Sequence, residues 1–365
     1  MIKHFIKIFF RTALKERTYS FINVSGLAVG LASSIFIALW IIDEIGYDKF
    51  HTRRDQIFQV MANSSYPDGI QTFPNTPGPL ANALRDLPEV EESCRVNDQG
   101  GRLLFNNGDR SIYEVGVYAD EEIFDIFTIP LESGDPANPL RDNNSIAISE
   151  TLARKYFDQE NAIGKVFRLA NKFDVKVTAV FKDLPRNSTL RFEFVLPYEV
   201  YAKGDQYNNE WGAWTGGSGY VLLHKDVNTE ALKLKINETL TKPRIWPRWD
   251  DNIDLFLFPM SDWRLYNNFE NGKQAGGRIN YVIALGVAGA FILLIACINF
   301  MNLATARSMS RSKEVGVRKV IGAARQSLVK QFILESVLIS MISLVVGLLI
   351  VHLLLPAFND LTEKD

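Results

Sequence analysis

Three long runs without a charged residue constrain this chain more than any other feature of its sequence. They occupy residues 21–42, 279–306 and 336–359, and a helix needs about 20 residues to cross the hydrocarbon core of a bilayer. In the first run alone, twelve Leu, Ile, Val and Phe residues favour membrane insertion by roughly 4 to 7 kcal/mol. We therefore predict transmembrane helices at residues 21–42, 279–306 and 336–358.

The charges between these runs predict the topology. Residues 307–335 carry seven Lys and Arg against two Glu, and residues 1–20 carry five Lys and Arg against one Glu. Residues 43–278 instead carry 27 Lys and Arg against 36 Asp and Glu. Because basic segments stay on the cytoplasmic side, we predict a cytoplasmic amphipathic segment at 1–20, a cytoplasmic loop at 307–335, and an external segment at 43–278. The tail at 359–365 is then external as well.

A cleaved signal peptide is the alternative interpretation of the N-terminus, because secretion also uses a basic start followed by an apolar run. The run at 21–42 is longer than a usual signal core, and the sequence at its end, LWIIDEIGYDKF, offers no small-x-small cleavage site. An uncleaved anchor fits the sequence better.

The external segment has 236 residues, enough for one large or two small domains with cores of their own. Helical spacing occurs at 79–87, at 149–157 with Ser149 as the N-cap, and at 229–240. Short apolar or alternating runs bounded by turn residues predict strands, and these runs read IFQVMA, SIAIS, KVFRLA, DVKVTAVF, FEFVLP, YVLLH and IDLFLF. We predict an α+β ectodomain, in which a β-rich subdomain at about 100–185, with a hairpin turn at 106–109, is inserted into an α/β part.

Motifs for catalysis, metal binding and phosphate binding do not occur in the sequence. It contains no G-x-x-x-x-G-K-[ST], H-E-x-x-H, C-x-x-C or G-x-S-x-G, and its four histidines are scattered along the chain. We therefore predict no catalytic, cofactor-binding or metal-binding residues and no nucleic-acid partner. Cys94 and Cys297 belong to segments at different depths, so no disulfide is expected.

The cytoplasmic loop contains a short basic helix. Ser312 is a suitable N-cap for the sequence SKEVGVRKVIGA, and Gly322 is a suitable C-terminal break. An apolar edge of Val317, Val320 and Ile321 lets this helix rest on lipid head groups or dock into a cytoplasmic partner, and the residues alone favour neither. Residues 323–335 resume as an interfacial helix that runs into the third span.

Small residues in the first span predict close helix packing. Gly26 and Gly30 are separated by four positions, which is the spacing that lets two helix backbones approach each other in a membrane. The pattern is common in spans, so it indicates packing without assigning a dimer.

The loop and its flanks carry a specific resemblance. The sequence ACINFMNLATARSMSRSKEVGVRKVIGAARQSLVKQFILES, at residues 296–336, resembles the signature of the MacB/FtsX-type ABC transporter permease family. The ectodomain is similar to the periplasmic core domain of that family in TPGPLANALRDLPEVE, FDIFTIPLESGDP, SIAISETLARKYF and TAVFKDLPRNSTLRFEFVLP, and WRLYNNFENGKQAGGRINYV continues the similarity into the second span.

The resemblance implies a multi-pass protein of the cell inner membrane that pairs with a cytoplasmic ABC ATPase. Further partners implied are membrane lipid, a second copy or a second permease half, and a periplasmic adaptor. The loop helix would be the ATPase-coupling helix, with the coupling positions Lys313, Glu314, Val315, Gly316, Val317, Arg318, Lys319 and Gly322. The expected function is to transmit ATP-driven movement to the periplasmic domain for export or extraction of peptides, lipoproteins or small toxic compounds.

The sequence departs from the family after the third span. Family members have a fourth span, whereas this chain stops at PAFNDLTEKD, and from this we expect a truncated product. Two alternatives to a permease stay open at this point. One is a membrane-anchored binding or signalling ectodomain without transport activity, and the other is an envelope hydrolase, for which the sequence offers no catalytic residues.

Overall fold

The computed structural model describes residues 17–98, 101–107, 110–158, 160–211, 213–238, 253–310, 312, 316–317, 320–321, 325–362 and 364. The chain divides into two compact units, a membrane unit formed by Met1–Ile45 with Asn280–Asp365 and an ectodomain formed by Gly46–Ile279. This division agrees with the α+β ectodomain and helical membrane domain expected from the sequence.

Three helices among the described residues are long and apolar enough to cross a membrane, which confirms the three predicted spans. They are α1 (Arg17–Gly46), α7 (Arg278–Ser310) and α8 (Arg325–Thr362). Each is longer than its predicted span. Helix α8 joins the predicted interfacial helix to the third span without a break and continues through residues 359–362, which were expected to belong to an external tail.

Helix α1 contacts both other helices of the membrane unit. Gly30 allows the closest approach, because a Cβ at this position would lie 2.4 Å from the Cβ of Ala296 in α7. One turn further on, Ser34 Oγ donates a hydrogen bond to the carbonyl of Gly289, at 3.2 Å. On the α8 side, the rings of Phe36 and Phe358 lie 4.7 Å apart. Small residues therefore bring helix backbones together here, as is usual for helix pairs in lipid.

The described part of the ectodomain contains fourteen strands and five helices. The strands are β1 (Ile57–Tyr66), β2 (Gly69–Phe73), β3 (Val90–Asn97), β4 (Arg102–Asn107), β5 (Arg110–Ala119), β6 (Leu131–Gly134), β7 (Ser145–Ser149), β8 (Val166–Leu169), β9 (Phe173–Phe181), β10 (Phe194–Pro197), β11 (Ser218–Leu223), β12 (Ile253–Pro259), β13 (Phe269–Glu270) and β14 (Lys273–Gln274). The helices are α2 (Gly78–Arg85), α3 (Ile123–Ile126), α4 (Glu150–Phe157), α5 (Tyr198–Ala202) and α6 (Thr229–Ile236).

Strand pairing closes part of the ectodomain into a ring. The order β10-β7-β9-β8-β4-β5 returns to β10, because β5 and β10 pair in parallel with Gly116 opposite Phe194. Gly116 permits this closure, since a Cβ there would lie 2.5 Å from the Phe194 ring. Side chains such as Phe105, Phe167 and Phe194 fill one buried core. The β-rich part extends beyond the predicted limit of 185, because β10 completes the ring.

The other part is an antiparallel sheet with the order β3-β11-β1-β12. Helices α2 and α6 cover one face of this sheet, and the core between them includes Leu80, Leu84 and Leu232. A second core includes Phe127 and Trp263. The predicted helix at 79–87 is observed as Gly78–Arg85. The predicted helix at 229–240 is observed as an α-helix over Thr229–Ile236, and its residues 239–240 lie outside the described range. The third, at 149–157, is confirmed, and Ser149 Oγ accepts a hydrogen bond from the backbone N–H of Leu152 at 3.1 Å.

Arg95 joins the sheet to the ring. Its guanidinium donates hydrogen bonds to Asp120, with Nε–Oδ2 and Nη2–Oδ1 distances of 2.8 and 2.7 Å, and lies 3.1 Å from Glu199 Oε1. The guanidinium carbon also lies 3.9 Å from the centre of the Tyr198 ring. Arg95 is in β3, whereas Asp120 directly follows β5 and Glu199 is in α5. A single buried cation thus holds three elements together.

Replacing Arg95 is expected to destabilise the ectodomain strongly. Arg95→Ala leaves the Asp120 carboxylate unpaired in a poorly solvated place, and loss of one partner of such a pair costs about 3 to 5 kcal/mol. Arg95→Lys keeps the charge but cannot make the two parallel hydrogen bonds to Asp120. Its free energy of unfolding is therefore expected to lie between those of the wild type and Arg95→Ala. Urea unfolding of the full chain in detergent, followed by tryptophan fluorescence, measures the free energy of unfolding.

The matched control for Arg95 is Arg154→Ala. The Arg154 side chain is 68% exposed and pairs with Asp183 at 3.2 Å, and exposed pairs contribute about 0 to 1 kcal/mol. An equal decrease in the free energy of unfolding in Arg95→Ala and Arg154→Ala would contradict the role assigned to Arg95.

Adding a methyl group at Gly30 is expected to destabilise the membrane unit. Gly30→Ala forces the Cβ against Ala296 at a distance that real contacts do not reach, and overpacking costs about 1 to 3 kcal/mol. Gly286→Ala is the control, because its Cβ would lie 3.6 Å from Ile41 Cδ1 in ordinary contact. The midpoint of thermal unfolding in detergent is expected to fall for Gly30→Ala only, and an equal shift in both variants would contradict this packing.

Candidate coupling site

The loop between α7 and α8, which the sequence predicts to be cytoplasmic, presents an exposed apolar surface, here called the loop patch, formed by Val317, Val320 and Ile321. These side chains are 59%, 89% and 79% exposed. The backbone N–H of Ile321 donates a hydrogen bond to the carbonyl of Val317 at 3.1 Å, which is one helical turn. A Cβ at Gly316 would meet no atom within 4 Å. The loop patch can therefore be reached by a partner or by lipid.

Of the eight predicted coupling positions, the structure describes Gly316 and Val317. The others lie outside the described residues, and they are Lys313, Glu314, Val315, Arg318, Lys319 and Gly322. The two predicted packing residues are both on the side of α1 that faces α7, since a Cβ at Gly26 would lie 3.3 Å from Asn299 Nδ2 and Gly30 faces Ala296.

The segment that follows α1 is bound tightly inside the ectodomain. Asp48 is buried, and its carboxylate accepts hydrogen bonds from the backbone N–H of Thr189 at 2.7 Å and from Thr189 Oγ1 at 2.5 Å. The backbone N–H of Asp48 in turn donates to the carbonyl of Asn187 at 2.9 Å. Asp48 adopts a φ of 58°, a left-handed conformation that the three hydrogen bonds help to hold.

Tyr47 lies between two arginines. The guanidinium carbon of Arg264 is 3.7 Å from the centre of the Tyr47 ring, and Arg191 Nη2 donates a hydrogen bond to the Tyr47 hydroxyl at 3.3 Å. Arg264 belongs to the stretch that leads to α7, where the backbone N–H of Ile279 donates to the carbonyl of Leu265 at 3.0 Å. The segments after the first span and before the second are thus bound to each other within the ectodomain.

His51 adds a buried contact to the same region. Its Nδ1 donates to the carbonyl of Phe127 at 2.5 Å, and its ring lies 4.0 Å from that of Phe50. Burial lowers the pKa of His51, although the Phe127 carbonyl and Asp48 both act to raise it. His51 is therefore a neutral packing group at pH 7.

Sequence reasoning missed Tyr47, Asp48, Arg191 and Arg264. They come from three stretches that are far apart in the chain and share no spacing. A signal was nevertheless present, because Arg191 and Arg264 fall within the stretches TAVFKDLPRNSTLRFEFVLP and WRLYNNFENGKQAGGRINYV, which carry the resemblance.

The aromatic side chains of Trp211, Trp214 and Tyr220 are mainly packing residues. Tyr220 is buried in the core that contains Phe127, and the two tryptophans pack on the core beneath α2 and α6. Trp214 also lines a cavity of about 360 Å³ together with Ser64, Tyr66, Phe73, Pro74 and Asn75. Among the described residues, no group of three or more His, Cys, Asp or Glu side chains is placed to hold a metal ion.

Family comparisons cover both units of the chain. The model of the MacB-like periplasmic core domain matches residues 20–239, and the model of the FtsX-like permease C-terminal domain matches residues 286–364. The second match includes α7 from residue 286 onward, the loop patch and all of α8.

Curated relatives include two export proteins. The chain is 25% identical over 289 residues to the macrolide export ATP-binding/permease protein MacB of Mannheimia succiniciproducens, which covers 76% of this chain and 41% of the relative. It is 22% identical over 354 residues to the pyoverdine export ATP-binding/permease protein PvdT of Pseudomonas fluorescens, which covers 93% and 48% respectively. The chain thus spans less than half the length of either relative.

Among solved structures, the ectodomain matches a crystallised domain from Porphyromonas gingivalis that is described as part of a permease protein. The TM-score is 0.50 at 24% identity, and the match covers 57% of this chain and 91% of that domain. This likeness shows the fold.

The periplasmic core match alone covers more than half of the chain, and the three apolar helices account for the rest of the architecture. The protein is therefore a multi-pass inner-membrane protein with a large periplasmic domain. The chain belongs to the MacB/FtsX-type ABC transporter permease family.

Proposed function

We propose that this chain is a mechanical subunit of an ABC exporter, which passes ATP-driven movement of a cytoplasmic ATPase through the membrane to the periplasmic domain. The observation that carries the proposal is the loop patch. Exposed Val317, Val320 and Ile321 follow α7 and precede α8, and an apolar surface on a short basic loop suits docking into a groove of a partner protein.

The partner must supply ATP binding. The 365 residues contain no G-x-x-x-x-G-K-[ST], whereas the names of both relatives combine ATP binding with a permease. We therefore place the ATPase in a separate subunit or domain that binds the loop. Binding would involve Glu314 and Arg318 beside the loop patch, and a second copy or a second permease half would complete the assembly.

Continuous covalent paths support transmission of movement to the ectodomain. Helix α1 ends at Gly46, and Tyr47 and Asp48 follow it directly and are bound inside the ectodomain by Thr189, Arg191 and Arg264. The backbone therefore connects α1 directly to residues that are bound within the ectodomain. Catalysis by the chain itself forms no part of this proposal.

The cargo is proposed as a class. Macrolide and pyoverdine export are in the names of the relatives, and for this chain we propose export or extraction of peptides, lipoproteins or small toxic compounds. Contacts with lipid follow from the exposed apolar faces of the spans, and a periplasmic adaptor is the proposed partner of the ectodomain.

Changes in the loop are expected to abolish ATPase binding. Arg318→Glu reverses a charge of the proposed coupling helix, and Val320→Asp places a carboxylate on the loop patch, where burial against a partner would cost several kcal/mol. Each variant is co-expressed with the ABC ATPase encoded nearest to the gene, and co-purification from detergent is measured. Both variants are expected to insert normally and to lose most of the bound ATPase.

Arg141→Glu is the control for charge reversal, because Arg141 is an exposed side chain of the ectodomain. Unchanged recruitment in the two loop variants would contradict the proposal. It would favour the alternative of a membrane-anchored binding ectodomain, in which the basic loop only sets the topology.

A further inference from the structure

Arg307 and Glu335 form an ion pair at the two ends of the cytoplasmic loop. Arg307 lies near the end of α7 and Glu335 in the third turn of α8, and Nη1 of the first is 3.9 Å from Oε2 of the second. Their side chains are only 9% and 11% exposed. The residues that enter and leave the loop are therefore joined by charges that are largely withdrawn from water.

Helix α1 contributes to the same cluster. The guanidinium carbon of Arg307 lies 5.0 Å from the centre of the Tyr19 ring, and the Tyr19 hydroxyl accepts a hydrogen bond from Asn23 Nδ2 at 3.2 Å. Gln331 Nε2 donates to Glu335 Oε1 at 3.2 Å. We call Tyr19, Arg307, Gln331 and Glu335 the inner clamp, because it joins one end of each of the three spans.

Topology alone does not explain the inner clamp. A cytoplasmic Arg307 follows from the bias of basic residues toward the inner face, but acidic residues contribute little to that bias. A glutamate at this position would be better solvated pointing outward, and a largely buried carboxylate is stable only with a cation and hydrogen bonds around it. Glu335 is therefore positioned to pair with Arg307, and Arg307 is positioned to make a cation–π contact with the Tyr19 ring.

We propose that the inner clamp is a positioning device, which fixes both ends of the loop to α1 so that a push on the loop reaches the helix that leads into the ectodomain. This inference rests on the proposed function. It differs from that proposal in its residues and in its effect, because loss of the clamp is expected to uncouple a bound ATPase without releasing it.

The geometric part of the inference is tested without any ATPase. Nitroxide labels are attached at Phe21→Cys in α1 and Met309→Cys in α7, both of which replace exposed side chains. The exposed Cys297 is changed to Ser, and the buried Cys94 is kept. Pulsed EPR on the full chain in nanodiscs then gives the distribution of distances between the labels.

The variants are Arg307→Gln, Glu335→Gln and the reversal Arg307→Glu with Glu335→Arg. Both single variants are expected to broaden the distance distribution. In the reversal, the distance distribution is expected to be narrower than in the single variants but broader than in the wild-type chain. The reason is that the reversal restores the ion pair but leaves no cation over the Tyr19 ring. Glu335→Gln is nearly isosteric and serves as the milder test if Arg307→Gln folds poorly. Lys330→Gln is the control, since Lys330 is an exposed cation in α8.

The functional part is measured on the same proteins with the co-expressed ATPase. Retained co-purification with loss of most of the permease-dependent stimulation of ATP hydrolysis supports the inner clamp. A wild-type distance distribution in both single variants overturns it, whatever the ATPase does. Failure of the wild-type chain to bind any ATPase overturns the proposed function instead, and the EPR result then still decides whether the clamp fixes the loop to α1.

Discussion

The exclusion of charge from the hydrocarbon core is the constraint on which the membrane unit depends. Three helices with uncharged central segments satisfy it by closing their own backbone hydrogen bonds, and their charged residues lie toward the helix ends. At the cytoplasmic end Arg307 pairs with Glu335. At the external end Lys364 Nζ lies 2.5 Å from Asp43 Oδ2 and 2.9 Å from Glu44 Oε1. The lipid constraint thus determines where ionic contacts between the spans can form.

Between these ends, helix contact depends on small residues. Hydrophobic burial gives little preference for one helix partner over lipid, so close backbone approach and a few hydrogen bonds have to select the packing. On the side of α1 that faces α7, Gly30 allows close approach to Ala296, and Ser34 donates a hydrogen bond to the Gly289 carbonyl. In the ectodomain, a glycine likewise allows close approach: Gly116 in β5 lies opposite Phe194 in β10, and this pairing closes the ring of strands.

Sequence patterns predicted the features that depend on neighbours in the chain. The apolar runs gave the three spans, and Ser149 was identified as a cap because its partner is three residues away. Strand β3 was missed because its sequence, VEESCRVN, is polar, and the partners that allow its burial are distant: Ser93 Oγ bonds the Ala81 carbonyl at 2.7 Å, and Asn97 Nδ2 bonds the Thr215 carbonyl at 3.2 Å. The coupling positions came from resemblance, and six of the eight lie outside the described residues.

The residues proposed to transmit movement were not predicted from the sequence, whereas the loop was. A docking surface on a loop is local, so charge and apolar spacing reveal it in one stretch of sequence. The contacts proposed to transmit force join segments that are remote in sequence, because Arg264 stacks on Tyr47 and Glu335 pairs with Arg307. Both regions contain an arginine over an aromatic ring. The guanidinium carbon of Arg264 lies 3.7 Å from the centre of the Tyr47 ring, and that of Arg307 lies 5.0 Å from the centre of the Tyr19 ring. Because the guanidinium is planar and weakly hydrated, it can stack on a ring while bonding to other groups, which suits a contact that has to hold several segments at once.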